Sequence, residues 1–341
     1  MGRKILGIEY APLNVPLQRR LQTVAAAFWI CTFCFMGLGV ISLFFYLLFY
    51  TDHYWIPIAY IVFYVLDRDT PKRGGRRVQW MREWRLWRWF AEFFPITLVK
   101  TAEIDPCRNY IFGIHPHGIL CAGAFSCFVT EGTGFSQKFS GLISHLLTLD
   151  CNYKVPGFRE FFMCGGSCSS SKESIEYILT NNKCGRACCL VVGGAAESLC
   201  AHPGKVNLIL KPRKGFVRMA LKTGTWLVPV FSFGETDLYE QIDNPEGSWI
   251  RWLQEKIRRR IGVAPALFKG RGIFQYTFGI VPFRKPVHVV VGEPIPVEKT
   301  LEPTKEQVDE LHSTYMDALV ALFEKYKGEY CEDPTMTLQI T

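Results

Sequence analysis

The 341-residue chain lacks the short motifs that mark several common enzyme classes. It has no Gly-x-Ser-x-Gly turn, so a serine-nucleophile lipase mechanism would lack its usual scaffold. It also has neither the glycine-rich Walker loop that cradles nucleotide phosphates nor the Gly-x-Gly-x-x-Gly dinucleotide fingerprint. These absences argue against a serine-nucleophile lipase, a Walker-loop nucleotide enzyme and a dinucleotide-binding enzyme.

The 13 cysteines do not form a disulfide or zinc pattern. Cys31 and Cys34 lie inside a long apolar run, Cys188 and Cys189 are adjacent in a predicted strand, and the others show no C-x-x-C spacing with companion histidines. No Asn-x-Ser/Thr glycosylation site occurs. We therefore expect reduced, mostly packing cysteines in a cytosolic environment and no metal site.

Charge is missing from one long segment near the N-terminus. The 27 residues 24–50 contain no Asp, Glu, Lys or Arg, which is long enough to cross a bilayer core. A second apolar run at 55–66 is too short to span upright. The length of the first run, its bulky aromatic end and the lack of a small-residue cleavage site argue against a secretory signal. We predict an uncleaved membrane hairpin over 24–66.

Basic residues flank this predicted hairpin on both sides. They are Arg19 and Arg20 before it, and Arg68, Lys72, Arg73, Arg76 and Arg77 after it. Positive flanks favour the cytosol, so residues 1–23 are expected to be a cytosolic basic arm and both termini to be cytosolic. Residues 67–100 hold Trp80, Trp84, Trp87 and Trp89 among arginines, which predicts a segment along the membrane surface. The alternative is an ordinary helix that uses Trp to fill the core.

Residues 101–327 read as a globular α/β domain, followed by a tail at 328–341. Apolar β-rich runs, predicted as strands, occur at 109–114, 187–192, 206–210, 225–233 and 287–291. Helices are predicted from Ser170 to Leu179 with Glu173 completing a capping box, from Pro212 to Thr223 with Gly224 as its end, and from near Pro303. Alternating strands and helices predict a sheet covered by helices.

One predicted strand ends in the turn His115-Pro116-His117-Gly118. Histidine can take up a proton and return it near neutral pH, Pro116 fixes the backbone between the two rings, and Gly118 lets the chain pass close to a ligand with its N–H free for a developing oxyanion. We predict His117 as a general base and His115 as its orienting or structural partner. The other histidines are scattered, which argues against a metal site.

A second cluster follows the predicted strand at 187–192. Gly193 and Gly194 form a small-residue turn, and Glu197 comes three residues later. A carboxylate there could lie beside the histidine, orient its ring and stabilise its charged form. The alternative is a surface glutamate after a strand.

Cations stand where a predicted helix begins and in a glycine-flanked loop. They are Arg213, Lys214 and Arg218, with Arg271 in the loop. Positive side chains at the start of a helix are unfavourable because they oppose the helix dipole, so helix stability does not explain them. Binding of an anionic ligand at the helix N-terminus does explain them. The alternative is that these cations are ordinary solvated surface residues. A histidine base, anion sites and a membrane hairpin together indicate acyl transfer from a soluble, phosphate-bearing donor to a hydroxyl in the bilayer.

An ordered set of motifs over nearly the whole chain resembles the second-type diacylglycerol acyltransferase family, which includes monoacylglycerol and wax-alcohol acyltransferases. The set comprises Phe94-Pro95, the turn His115–Gly118, Val192-Gly-Gly-Ala-Ala-Glu197, Arg213-Lys-Gly-Phe216 with Arg218, Phe233-Gly234-Glu235, Gly270-Arg271-Gly272 and Val291-Gly292-Glu293-Pro294. The wider glycerolipid acyltransferases carry a His-x₄-Asp motif. In this chain Leu120 and Ala122 stand five residues after His115 and His117, so the aspartate of that motif is missing. We therefore predict Glu197 as the acidic partner of the histidine.

The resemblance implies a glycerolipid-acyltransferase-like α/β domain that moves a fatty acyl group from acyl-CoA to an acylglycerol at the endoplasmic reticulum and lipid droplets. Diacylglycerol is the favoured acceptor, monoacylglycerol the close alternative and fatty alcohol the next. We expect acyl-CoA as co-substrate, no other cofactor and no nucleic acid; self-association as a homo-oligomer stays open. A lipid-droplet coat protein without catalysis would explain the hairpin but leave the histidine turn without a role.

Overall fold

The computed structural model describes residues 4–12, 14–181, 184–245 and 247–341. Its α-helices are α1 (Leu17–Tyr50), α2 (Trp55–Leu66), α3 (Gln79–Arg82), α4 (Arg85–Phe93), α5 (Ala122–Ala124), α6 (Phe135–Lys138), α7 (Phe158–Cys164), α8 (Lys172–Thr180), α9 (Gly194–Ser198), α10 (Gly215–Thr223), α11 (Trp249–Ile261) and α12 (Lys305–Tyr330). Its strands are β1 (Lys4–Ile5), β2 (Ile8–Glu9), β3 (Ile96–Lys100), β4 (Tyr110–His115), β5 (Ile143–Thr148), β6 (Cys168–Ser169), β7 (Arg186–Val191), β8 (Val206–Leu208), β9 (Trp226–Phe233), β10 (Glu240–Gln241), β11 (Phe268–Lys269), β12 (Val287–Val291) and β13 (Leu338–Ile340).

Seven of these strands form the central sheet, in the order β3-β12-β9-β4-β7-β5-β6. Strands β9, β4, β7, β5 and β6 are parallel, whereas β12 runs antiparallel to β9 and parallel to β3. The α/β fold is therefore the predicted one. Four predicted strands join the sheet at nearly the expected residues, while β8 pairs with β13 outside it. The sequence did not reveal the other three strands of this sheet, β3, β5 and β6.

The register of the sheet brings two predicted clusters to one edge. In β4, Ile114 pairs with Val191 of β7 on one side and with Val230 of β9 on the other. Because the strands are parallel, the histidine turn after β4 and the glycine turn after β7 emerge at the same carboxyl edge. Ligands of open α/β sheets bind at such edges.

The helix predictions are met in part. Helix α12 begins after Thr304, whose side chain accepts from the Gln307 N–H, and Gly224 ends α10 in the left-handed conformation at φ 70°. The predicted capping box on α8 is wrong, because the N-cap is Ser171 and it accepts from Ser174 N–H, which places Glu173 one position too early. Helix α10 starts at Gly215 and not at Pro212.

The predicted hairpin over 24–66 is present as a pair of packed helices. The rings of Phe44 in α1 and Tyr60 in α2 lie 5.1 Å apart. Within the described chain, α1 is the one helix long and apolar enough to cross a membrane, and the 12 residues of α2 are too short for an upright span. Insertion of the pair into a bilayer stays a prediction.

The first half of α1 belongs to the core of the domain. Ala25, Ala26, Trp29 and Ile30 are buried, and the Trp29 ring lies 5.1 Å from that of Phe90 in α4. Helix α1 thus runs without a break through the predicted boundary at residue 24, and its first half packs on α4. At the other end, residue 328 falls inside α12 and the tail contributes β13.

The Trp- and Arg-rich segment at 67–100 is also more deeply packed than predicted. Trp87 is buried, and Arg82 is 1% exposed with an ion pair to Glu131 at 3.1 Å and a bond to the Val129 carbonyl at 2.8 Å. Trp80, 63% exposed, remains on the surface. Trp87 therefore fills the core, which is the alternative stated for this segment, and Arg82 forms a buried ion pair. The position of the segment along the membrane surface stays a prediction.

Candidate active site

A cavity of about 720 Å³ opens at the carboxyl edge of the sheet, and we call it the His117 cavity. His117 and Cys121 come from the turn after β4, and Gly194–Ala196 from the turn after β7. Helix α1 supplies an apolar wall and α11 supplies part of the rim. The lining residues from these two helices are Trp29, Phe33, Cys34, Gly37, Leu38, Ile41 and Arg258.

His117 faces this cavity with one ring nitrogen free. Its Nδ1 lies 3.0 Å from the Gly118 carbonyl, which can only accept, so Nδ1 carries the proton. Within the described chain no group bonds to Nε2, which is left with its lone pair. Burial lowers the pKa of His117 below its ordinary value, and the Gly118 carbonyl opposes that shift. The ring is thus neutral at physiological pH and able to accept a proton.

His115 is held in the opposite way, as a buried structural group. Tyr315 of α12 donates its hydroxyl proton to the Gly113 carbonyl at 3.0 Å, so at 3.0 Å His115 Nε2 must donate to the same oxygen. Burial lowers the pKa of His115 to about 3, which keeps the ring neutral. His115 lies outside the lining of the His117 cavity, and these contacts favour the structural half of its predicted role.

Glu197 lies beside His117, but it bonds to the backbone and not to the ring. Its two carboxylate oxygens accept the main-chain N–H groups of His117 at 2.7 Å and of Ile209 at 2.9 Å. The predicted ring-orienting contact is therefore absent from this arrangement. Burial raises the pKa of Glu197 to about 7, against the effect of both N–H groups and of Arg213.

Gly193 is required for this arrangement by space. A Cβ at Gly193 would fall on the carboxyl group of Glu197, which folds back beneath the turn. Gly194 adopts φ 61° and lines the cavity, whereas Gly193 lies behind it. The lack of a side chain at Gly193 therefore allows the Glu197 carboxylate to reach the backbone of His117.

A second buried glutamate, Glu235, fixes the other side of the histidine turn. Its carboxylate accepts the N–H groups of Ala122 at 2.7 Å and Gly123 at 2.9 Å, and burial raises its pKa to about 7. Gly118, at φ 58°, packs so closely that a Cβ would lie 3.0 Å from the Glu235 carbonyl oxygen. Sequence reasoning included Glu235 in a motif but gave it no role.

Pro116 and Cys121 complete the turn. The His115–Pro116 peptide bond is cis and Pro116 is buried behind the cavity. The Cys121 thiol lines the cavity and donates to the His117 carbonyl at 3.1 Å. Burial raises the pKa of this thiol well above its ordinary value, so it is a poor nucleophile.

The predicted cations are not brought together. Arg213 lines the His117 cavity and donates to the Gly193 carbonyl at 3.3 Å. Lys214 pairs with Asp309 at 2.5 Å, Arg218 is exposed on α10, and Arg271 stacks on Tyr276 at 4.2 Å; none of these three lines the cavity.

Arg258, which sequence reasoning missed, shares the cavity with Arg213 and has a buried Nε without a partner in the described chain. Nothing in the run of arginines at 258–260 distinguishes it from its neighbours. Among the residues that the structure describes, no three His, Cys, Asp or Glu side chains are placed to hold a metal ion.

Fold and site together define an α/β enzyme whose half-buried histidine opens onto an apolar cavity beside a long apolar helix. Residues 46–341 match the family model described as diacylglycerol acyltransferase. The chain is 49% identical over 323 residues to 2-acylglycerol O-acyltransferase 1 of Bos taurus, covering 95% of this chain and 96% of that protein. It is 46% identical over 325 residues to diacylglycerol O-acyltransferase 2 of Homo sapiens, covering 95% and 84%.

The chain therefore belongs to the diacylglycerol acyltransferase family, and it is an acyltransferase. The resemblance drawn from its motifs is confirmed. A solved structure, the 1-acyl-sn-glycerophosphate acyltransferase PlsC of Thermotoga maritima, aligns over 92% of this chain and 99% of that one at a TM-score of 0.43 and 16% identity. That likeness is too distant to define the fold.

Proposed function

We propose that this acyltransferase moves a fatty acyl group from acyl-CoA to the free hydroxyl of diacylglycerol and so makes triacylglycerol. The observation that carries the proposal is the His117 cavity itself. It joins a neutral histidine, an apolar wall from α1 and two arginines at one opening. An apolar wall suits fatty chains, and arginines suit the phosphates of a CoA thioester.

The proposed reaction is a direct transfer with His117 as general base. Its Nε2 takes the acceptor's hydroxyl proton as that oxygen attacks the thioester carbonyl carbon. The carbon–sulfur bond then breaks, and the imidazolium returns the proton to the CoA sulfur. An acyl-enzyme route through Cys121 is disfavoured, because burial keeps that thiol protonated.

Glu197 acts in this scheme on the position of His117 and on its charge. The carboxyl group of Glu197 accepts the His117 N–H, and its ionised form, present above its raised pKa of about 7, would stabilise the imidazolium formed during transfer. Gly193 and Gly194 allow this contact, Pro116 and Gly118 shape the turn, and Arg213 with Arg258 receives the anionic donor. Lys214, Arg218 and Arg271 do not line the cavity, and the scheme gives them no contact with the donor.

The proposed setting follows from the apolar helices and the basic flanks. The enzyme sits in the endoplasmic reticulum membrane through residues 24–66, with both termini cytosolic, and reaches lipid droplets. The transfer uses acyl-CoA as co-substrate and needs no further cofactor, and the catalytic unit spans residues 101–327 with α1 as an additional wall. Self-association as a homo-oligomer remains open to measurement.

Monoacylglycerol is the second candidate acceptor, and one observation favours it. The relative with 49% identity, which this chain covers almost completely, is named as a 2-acylglycerol enzyme, whereas 84% of the diacylglycerol enzyme is covered. The two sequence identities differ by three percentage points, which does not decide between two acceptors that react through the same kind of hydroxyl group.

The test is a direct comparison of acceptors. The full chain, purified in detergent and returned to phosphatidylcholine vesicles, is given labelled oleoyl-CoA with dioleoylglycerol, 2-oleoylglycerol or hexadecanol. We expect triacylglycerol to form with the highest kcat/KM. Faster use of 2-oleoylglycerol would replace the proposed acceptor, and no labelled ester from any acceptor would contradict the activity. Protease protection of tags at the two termini tests the topology.

A further inference from the structure

A second cavity lies between the two N-terminal helices. It measures about 350 Å³ and is walled by α1, α2 and the loop before α7. Phe44 and Leu48 of α1 and Ile61 of α2 supply much of its surface. We call it the helix-pair cavity.

Ile41 of α1 connects this second cavity to the first. It is part of the lining of both the His117 cavity and the helix-pair cavity, and no other residue of the described chain has that position. Leu38 lies one turn before it on the wall of the first cavity, and Phe44 lies one turn after it on the wall of the second. The same face of α1 therefore forms one continuous apolar path.

Two of the three side chains with a polar group at the helix-pair cavity have partners, and the third is Tyr64. The Tyr60 hydroxyl donates to Glu160 Oε2 at 2.8 Å, and the Lys154 ammonium lies 3.6 Å from an oxygen of Asp150. The rest of the described lining is aromatic, aliphatic or proline. Such a predominantly apolar surface suits a hydrocarbon chain better than a headgroup or phosphate, since burial of a hydrocarbon is favourable in proportion to its area.

We propose that the helix-pair cavity is a fatty-chain subsite, in which the distal part of a substrate chain passes Ile41 while its reacting end lies at His117. This inference rests on the proposed acyl transfer. It adds that chain length is sensed by the contact of α1 with α2, well away from the histidine turn. The chain belongs to the acceptor or to the acyl donor, and both present the same hydrocarbon to the site.

The substitution Ile41→Trp tests the path by filling its junction. Leu43→Trp is the matched control, because Leu43 is on the same helix, is 51% exposed against 38% for Ile41, and lines neither cavity. Both variants and the wild type are assayed in vesicles with octanoyl-CoA and dioctanoylglycerol as the short pair. One arm then lengthens the donor to palmitoyl-CoA, and the other lengthens the acceptor to dioleoylglycerol.

We expect Ile41→Trp to lower kcat/KM in one arm at least about tenfold more than it lowers kcat/KM for the short pair, since each methylene excluded from an apolar site weakens binding several-fold. Loss in the acceptor arm assigns the subsite to the acylglycerol, and loss in the donor arm assigns it to the acyl group. Equal activity of both Trp variants in every arm would overturn the proposal, as would an equal loss with the short pair.

A binding measurement separates this inference from the catalytic proposal. A photoreactive palmitoyl chain should label peptides from the α2 stretch 57–64 in the wild type and in Leu43→Trp, and fail to do so in Ile41→Trp. Labelling without any ester formation would keep the subsite and contradict the acyl transfer. Ester formation with labelling confined to the His117 cavity would support the acyl transfer and contradict the subsite.

Discussion

The carboxylate of Glu197 accepts the main-chain N–H of His117 at 2.7 Å, while the imidazole of His117 bonds to its neighbour Gly118. The glutamate thus controls where the histidine stands and leaves Nε2 free. In a serine-protease triad the acidic residue bonds to the histidine ring itself. In this protein the glutamate bonds to the main chain of the histidine, whereas the histidine ring bonds to the neighbouring Gly118 carbonyl.

Replacing the free base should remove turnover. We expect His117→Ala to lower kcat by about 10²–10⁴-fold, which is the usual contribution of a general base. Its membrane extraction and thermal unfolding should match the wild type, because the ring bonds only to Gly118. The exposed His53 is the matched control, and His53→Ala should be fully active. Normal turnover of purified His117→Ala would exclude His117 from the reaction.

The hydrogen bonds that Glu197 accepts from the main-chain N–H groups of His117 and Ile209 should contribute to both the stability of the fold and the rate of transfer. In Glu197→Gln one acceptor oxygen remains for two N–H groups, so the buried N–H of His117 or Ile209 loses its partner, at about 1–3 kcal/mol of unfolding free energy. We expect a lower melting temperature and a slower transfer with little change in the KM for acyl-CoA. A variant as stable and as fast as the wild type would contradict this contribution.

The raised pKa of Glu197 also fixes the sign of a pH effect. Folding holds its proton up to about pH 7, whereas the unfolded carboxyl releases it from about pH 4.5. The unfolded chain binds fewer protons in that interval, so this contribution to stability is lost as the pH rises. Glu235 has the same shift and remains in Glu197→Gln, so the variant should show a weaker decline than the wild type. Denaturant unfolding at several pH values between 5 and 7 measures it.

His115 should make the fold sensitive to acid in the opposite sense. Its pKa is lowered from 6.5 to about 3 by burial, so below pH 6.5 the unfolded chain binds a proton that the folded chain refuses. Stability is therefore lost as the pH falls, by up to about 1.4 kcal/mol per pH unit for this one group. Against its own stability at pH 7, His115→Gln should lose less on acidification to pH 5. Parallel acid profiles for the two proteins would refute the assignment.

Tyr315 should be coupled to Gly113 through its hydroxyl. Tyr315→Phe leaves the His115 Nε2–H and the Gly113 carbonyl short of a partner, and we expect a loss of about 1–3 kcal/mol. Gly113→Ala brings a Cβ against the same hydroxyl and should destabilise the protein further. In the double variant the oxygen is gone, so the combined loss should be smaller than the sum. Strict additivity in denaturant unfolding would show that the two residues act independently.

The five candidate cations should separate by position. Arg213→Gln and Arg258→Gln should each raise the KM for acyl-CoA several-fold, because only these two line the His117 cavity. Lys214→Gln, Arg218→Gln and Arg271→Gln should leave that KM near the wild-type value. Arg259, next to Arg258 but exposed and paired with Glu255, gives the matched control Arg259→Gln. An equal effect of Arg258→Gln and Arg259→Gln on KM would indicate a general effect of surface charge.

Local pattern was enough to place most of the sheet and the last helix. Apolar, β-rich runs located β4, β7, β9 and β12, and a one-sided apolar pattern located α12. It failed at β5, whose sequence Ile-Ser-His-Leu-Leu-Thr carries polar residues that the fold buries in hydrogen bonds, such as Ser144 with the Phe128 carbonyl. It also failed to predict burial of Arg82, because the carbonyls that solvate its guanidinium come from distant segments.

The sequence by itself determined the candidate residues: a histidine turn after an apolar strand, a glycine turn with a glutamate, and an apolar stretch without charge. These features depend on residue type and on spacing of a few positions. Only the tertiary structure decided which atoms meet. Parallel pairing of β4 with β7 put Glu197 under the backbone of His117, and packing of α1 on the domain made that helix a wall of the cavity. Contacts between residues 80 or more positions apart depend on how strands pair and helices pack, which local spacing does not encode.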